Sequence, residues 1–500
     1  MTLAKLKTRA QLGIDAPRVN VEVHLSGGLP HFTIVGLAET AVRESRERVR
    51  SALLLSGFDY PQRRITVSLA PADIPKEGGR FDLAIALGIL QASNQINSAH
   101  LQQLELYAEL GLDGQLRPVS GLFPALLACQ QSSSAAVVAP EQYAEAGLAG
   151  CAVLKGAANL LELCHLLQQA AIETQQPDSA LSSVSTNAEL SYQELSQIRG
   201  QLSARFALEL TASGAHNLLM QGPPGSGKSL LAHALPGILP PLTPQQAREA
   251  AALHSITGKP IDSLFAGLPP IRSPHHSASP TAIVGGGSTP RPGEVSLAHN
   301  GVLFLDEVAE SSRSTLDMLR EPLETGAVTI ARAKARFTFP ARFMLVAALN
   351  PCPCGYYGDG SDRCVCALTA IERYQARLSG PLRDRFDLQL TLEAVDQEDL
   401  IRASQPMEGS ADVRSRVSRT REVQLERQGC LNSHLDMEAV QALLSHSEVL
   451  QQLYIDASSK LKLSARSTHR LLRVARTLAD MQQAQHIEES HLLHALSYRH

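Results

Sequence analysis

The segment HNLLMQGPPGSGKSLLAHAL (216–235) constrains this chain more than any other. A short apolar run leads into GPPGSGKS at residues 222–229, and a helical pattern follows at once. This is the GxxxxGK[ST] pattern in the strand–loop–helix setting that it requires. Glycine lets successive backbone N–H groups turn inward onto phosphate oxygens at the positive end of a helix. Gly222, Pro223, Pro224, Gly225, Ser226, Gly227, Lys228 and Ser229 therefore form a candidate phosphate cradle. Lys228 reaches the β- and γ-phosphates of a triphosphate, and the Ser229 hydroxyl is placed to ligate Mg2+.

GVLFLDE (301–307) supplies the complement. Four apolar residues read as a buried strand, with Asp306 and Glu307 at its C-terminal end, where ligands bind in α/β sheets. Asp306 is expected to hold Mg2+ through its hydration shell, and Glu307 to orient and deprotonate the attacking water. FMLVAALN ends a third strand at Asn350. An amide there can position that water or sense the γ-phosphate; the alternative is a chain-turning Asn before Pro351.

Five hundred residues exceed one core, so two or three domains are expected. A net charge of −4 gives no global support for a nucleic-acid partner, so a local basic element must carry any such claim. No run is apolar enough to span a bilayer, and the start lacks the pattern of a secretory signal. A cytoplasmic location is the expectation, which favours thiols or metal ligands over disulfides for the 8 cysteines. Cys352, Cys354, Cys364 and Cys366 form CxC, nine residues, then CxC. Four thiolates so close can close a tetrahedral Zn2+ site; the alternative is a loop of free, oxidation-prone thiols.

An α/β domain is read over residues 1–169. VNVEVHL and HFTIVGL pair as strands there, and FDLAIALGILQA forms a buried helix. A Gln/Ser/Thr/Ala-rich linker spans 170–190, and a nucleotide-binding α/β domain spans 191–395. Residues 396–500 lose the strand signal and read as helical.

RSPHHSASPTAIVGGGSTPRPGEVSLAHNGVLFLDE (272–307), NPCPCGYYGD and RLSGPLRDRFDL closely resemble the YifB/ComM family of magnesium-chelatase-like AAA+ ATPases, and the likeness covers the whole chain. The resemblance implies a homo-hexameric ring that binds ATP between subunits, with residues 396–500 as the helical lid. Arg385 matches the family's arginine finger, with Arg383 its near rival, and Arg466 matches the sensor arginine of the lid. Arg470 and Arg473 share its helical face; for these two a merely solvated basic stripe is the alternative.

ETGAVTIARAKARFTFPARF (324–343) reads as two strands around a basic tip. It resembles the pre-sensor hairpin of MCM helicases and magnesium chelatases, which projects into the central pore. Arg332, Lys334 and Arg336 are then candidate DNA contacts, six copies gathering positive charge despite the acidic total. An exposed turn without a ligand is the alternative. Residues 279–292, rich in glycine and read as flexible, resemble a second pore insert. The role of His275 and His276 stays open. The ComM likeness implies an ATP-driven motor that migrates branches in recombination intermediates, including those of natural transformation; a chelatase-like motor acting on a protein partner is the alternative. KEGGRFDLAIALGIL and YAELGLDGQLRPVSGLFPALLA resemble the Lon protease fold, but Arg80 and Phe123 stand where that family has its Ser and Lys, so no peptidase is expected.

Overall fold

The computed structural model describes residues 3–169, 171–175, 192–287, 290–331, 336–394, 407–461 and 464–499. Of the expected linker, residues 170 and 176–190 lie outside them, while Thr174–Gln175 form a short strand against Val153–Leu154. The chain forms two compact units. One comprises Met1–Ala188 with Ala247–Ala266 and Ala331–Phe339; the other comprises Glu189–Gln246, Gly267–Ile330 and Pro340–His500.

In the first unit the alternating sequence RVNVEVHLS forms the strand Arg18–Ser26, its valines facing the core. It belongs to an eight-stranded mixed sheet that runs Thr174–Gln175, Val153–Leu154, Ala135–Val138, Leu104–Tyr107, Leu3–Arg9, Arg18–Ser26, Arg64–Ala70, His31–Val35. The expected pairing of the second and third strands in sequence is corrected here. Arg64–Ala70 lies between them, antiparallel to one and parallel to the other. Arg64–Ala70 has alternating burial and offers each of them a free edge, so the chain order is not the spatial order. The helix Asp82–Ala92 is apolar nearly all round and almost wholly buried, as such a helix must be.

The second unit is built on a five-stranded, wholly parallel sheet. Its order is Ile271–Arg272, Val302–Leu305, Met344–Leu349, Leu218–Gln221, Leu388–Thr391. Both faces are covered, which is why these strands read as continuous apolar runs rather than alternating ones. Leu218, Met220, Phe304, Val346 and Ala348 enter one cluster; Leu219, Leu303, Leu305, Leu345 and Ala347 enter the other. The period of two along each strand divides them. The first cluster also takes Leu471, Leu472, Ala475 and Leu478 of the helix Ala465–Met481, so the C-terminal helices share the sheet's core. Each fully buried Leu or Val contributes about 1.5–3 kcal/mol to holding them there. The mixed α/β architecture with a helical C-terminal region agrees with the sequence.

Two local details extend the sequence reading. The polar segment Ser410–Gln428, within the region read as helical, is a long helix held by Val413, Val417 and Gln424. The insert 279–292, read as flexible, contains the helix Pro280–Val284, capped by Ser279, and a ladder between Gly285–Gly286 and Arg291–Pro292.

Candidate nucleotide site

The phosphate cradle follows the strand Leu218–Gln221, which hydrogen-bonds to Met344–Leu349 on one side and Leu388–Thr391 on the other. Strand order reverses at this strand, and the crevice beyond the C-terminal ends at such a switch point is where α/β sheets bind ligands. Gly225 and Gly227 have φ of 80° and 89°, a conformation that side-chain-bearing residues rarely adopt. The helix Lys228–Ala234 starts directly after them.

Lys228 is buried, and its Nζ donates to the carbonyls of Gly222 (2.7 Å) and Pro223 (2.9 Å) and to Asn350 Oδ1 (3.2 Å). Burial pushes its pKa down, while Asp306 and Glu307 hold the cation against that pull. The Ser229 hydroxyl donates to Asp306 Oδ2 at 2.8 Å. That contact puts the Ser229 hydroxyl where it would ligate Mg2+, with the Asp306 carboxylate beside it to hold the ion through its hydration shell. The expected set of Lys228, Ser229, Asp306 and Asn350 is therefore brought together from three neighbouring parallel strands.

Glu307 leaves the strand in a left-handed conformation, φ 48°, and its side chain is half exposed. Its carboxylate lies 3.4 Å from His276 Nδ1. Sequence left this histidine without a role; nothing in the local pattern HHS indicates a partner thirty-one positions on. His275 packs against His276, with ring centroids 4.1 Å apart and the planes tilted by 35°.

The arginines occupy a second region of the same unit, a cavity of about 710 Å3. Arg385 is buried, and donates to Glu324 (2.5 Å) and the Pro381 carbonyl (2.6 Å); its Nε has no hydrogen-bond partner among the described residues. Burial lowers its pKa, Glu324 opposing. Arg466 is largely exposed and reaches the same Glu324 at 3.3 Å. Glu324 is thus shared by both arginines that sequence selected, and no sequence signal marked it. Among the described residues Arg385 forms no ion pair with its neighbours Asp384 and Asp387. Asp384 accepts from Ser464 and Ser467, while Asp387 pairs with Arg470 at 2.8 Å and with His216. The solvated-stripe reading of Arg470 and Arg473 is also corrected. Arg470 is a largely buried partner of Asp387, and Arg473 donates to the Leu435 carbonyl. Burial raises the pKa of Asp387, but Arg470 and His216 outweigh it and hold the carboxyl well below its usual range. Arg383 is half-buried.

Cys352, Cys354, Cys364 and Cys366 place their sulfurs within 4.8 Å of one another. Hydrogen bonds from the Tyr356 backbone and from Cys352 lower the Cys354 pKa to about 6, whereas the thiols of Cys364 and Cys366 are pushed up by their sulfur neighbours. Of the candidate DNA contacts, Arg336 is exposed on the strand Arg336–Pro340, which pairs with Ala327–Ala331; Arg332 and Lys334 lie outside the described residues. In the first unit Arg80 is buried and donates to the Ser120 carbonyl and to Gln11, its pKa lowered to about 10 by burial. Phe123 is core.

Comparison with known proteins agrees with this architecture. Three family profiles match: "Subunit ChlI of Mg-chelatase" over residues 21–143, "Magnesium chelatase, subunit ChlI" over 194–400, and its C-terminal counterpart over 407–499. Competence protein ComM of Haemophilus influenzae is 46% identical, covering 100% of this chain and 98% of the relative. This chain belongs to the YifB/ComM family. The YifB protein of Escherichia coli is 45% identical, over 100% of this chain and 97% of its own length. The likeness of this YifB/ComM protein to the magnesium-chelatase 38 kDa subunit of Cereibacter sphaeroides is more distant, 29% over 31% of the chain. Membership makes it a magnesium-chelatase-family ATPase by kinship, for which ATP and Mg2+ are the implied ligands, and the donor set around Lys228 and Asp306 fits both. No helix among the described residues is long and apolar enough to cross a membrane.

Proposed function

We propose that this protein is an ATP-driven DNA motor that assembles as a homo-hexamer and promotes branch migration of recombination intermediates, as in natural transformation. The observation that carries the ATPase reading is the Ser229–Asp306 contact beside Lys228, with Glu307 next along the chain. In this reading Lys228 exchanges the loop carbonyls for β- and γ-phosphate oxygens, and Ser229 and Asp306 hold Mg2+. The ion neutralises phosphate charge. Glu307 draws the proton from an attacking water that Asn350 helps to position. Arg385 acts on a neighbouring subunit's nucleotide, and Arg466, the match to the lid's sensor arginine, shares Glu324 with it, so hydrolysis depends on assembly. The four thiolates hold a structural Zn2+, and residues 1–169 serve as a non-catalytic scaffold.

The DNA part rests on the basic hairpin at Arg332, Lys334 and Arg336 and on kinship with a protein named for competence. A chelatase-like motor that remodels a protein partner without DNA is the second reading, favoured by the three magnesium-chelatase profiles. ATP turnover measured with no DNA, with single strands and with four-way junctions separates the two. The motor reading expects DNA to stimulate turnover and junctions to be resolved; DNA that neither binds nor stimulates leaves the chelatase-like reading.

A further inference from the structure

The segment from Cys352 to Cys366 contains no helix or strand. Its sulfurs are nevertheless gathered: Cys352 and Cys354 lie 3.3 Å apart, Cys352 and Cys364 3.9 Å, Cys354 and Cys364 3.7 Å. A tetrahedral ion with Zn–S bonds of about 2.3 Å places its sulfurs about 3.8 Å from one another. The cluster thus has the dimensions of one ion. All four ligands are soft thiolates, which selects zinc over Mg2+ or Ca2+.

This loop joins the nucleotide site at two points. Asn350, whose Oδ1 accepts from Lys228, is separated from the fully buried Cys352 by Pro351 alone. Pro351 is itself fixed by a hydrogen bond from Gln375 to its carbonyl, 3.0 Å. Farther on, Gly355 is buried at φ +88°, and a Cβ built there would lie 2.6 and 2.7 Å from Cδ and Cγ of Pro224 in the phosphate cradle. Backbone of the thiol loop therefore lies directly against the cradle, with no room for a side chain between them.

We propose that zinc held by Cys352, Cys354, Cys364 and Cys366 braces the phosphate cradle, so that occupancy of the metal site sets the affinity for Mg·ATP. Without the ion, a loop lacking helix or strand has little to keep Gly355 against Pro224 or to fix the peptide that leads back to Asn350. The inference rests on the ATPase reading above and adds a metal requirement to it.

The test uses the full chain, its metal content by mass spectrometry and its affinity for a fluorescent ATP analogue with Mg2+. One zinc per chain is expected, released by a mercurial reagent and followed with a chromogenic chelator. Zinc removal, or the double variant Cys364→Ser/Cys366→Ser, should weaken nucleotide binding by about tenfold or more, with restoration when zinc and reductant are returned to the stripped wild type. Gly355→Ala should keep the zinc yet bind nucleotide more weakly, because its methyl presses on Pro224. If the cysteine variant does not fold by circular dichroism, the stripped wild type and Gly355→Ala decide. Absence of zinc, or equal affinity with and without it, overturns this inference alone. A zinc-loaded wild type that binds no nucleotide overturns the ATPase reading together with it.

Discussion

Glu307 follows the end of one strand and Lys228 opens the helix after another, and their surroundings give them different tasks. Lys228 is enclosed by loop carbonyls, so its charge is held where phosphate oxygens would replace them. Glu307 is half exposed and touches His276, which leaves it free to meet a water and gives it a neighbour able to orient it. Glu307→Gln keeps the shape and removes the base. We expect it to lower ATP turnover by about 10²–10⁴-fold, the usual contribution of a general base, with nucleotide affinity retained. Turnover near the wild-type rate in that variant would show that another group takes the proton. Lys228 was legible in sequence because a cradle needs glycines at fixed spacing. His276 was not, because its contact with Glu307 is made across space.

The paired strands Ala327–Ala331 and Arg336–Pro340 show what an element adds to its residues. Alternating composition was enough to read them, and a basic turn was enough to suggest phosphate. Replacing Arg332, Lys334 and Arg336 by Ala should remove DNA stimulation of turnover while leaving the basal rate. It should also flatten the dependence of DNA affinity on salt, since each lost phosphate contact removes about one released counterion. Loss of basal turnover to the same extent would mark the hairpin as structural instead. Glu324 sits on the helix Arg320–Thr325 just ahead of this hairpin and holds both Arg385 and Arg466.

At the scale of the whole molecule, the arginines do not converge on the P-loop of their own chain; they line a cavity with Glu324 and Asp387. That arrangement suits a site completed by a neighbour. Arg385→Ala alone and Lys228→Ala alone should each be inactive. Mixed rings made from the two variants should recover part of the turnover, because some sites then join an intact cradle to an intact finger. Mixtures as inactive as their components, with ring assembly confirmed by light scattering, would place Arg385 outside the neighbour's site. The sheet and the C-terminal helices of the second unit share one apolar core. Changes at Asp387, buried between Arg470 and His216, should consequently be felt as loss of folding rather than of chemistry alone.

Sequence by itself determined the cradle, the acidic strand end, the buried helix Asp82–Ala92 and the helical C-terminal region. Each depends on residues close in the chain, on glycine spacing or on a period of two or 3.6. Tertiary structure alone decided that Arg64–Ala70 separates two strands read as partners, that Glu324 unites Arg385 with Arg466, that Arg470 is a buried partner of Asp387, and that Gly355 rests on Pro224. Those contacts join residues far apart in the chain, and only the packing of the sheets and helices selects among the many pairings that local chemistry permits.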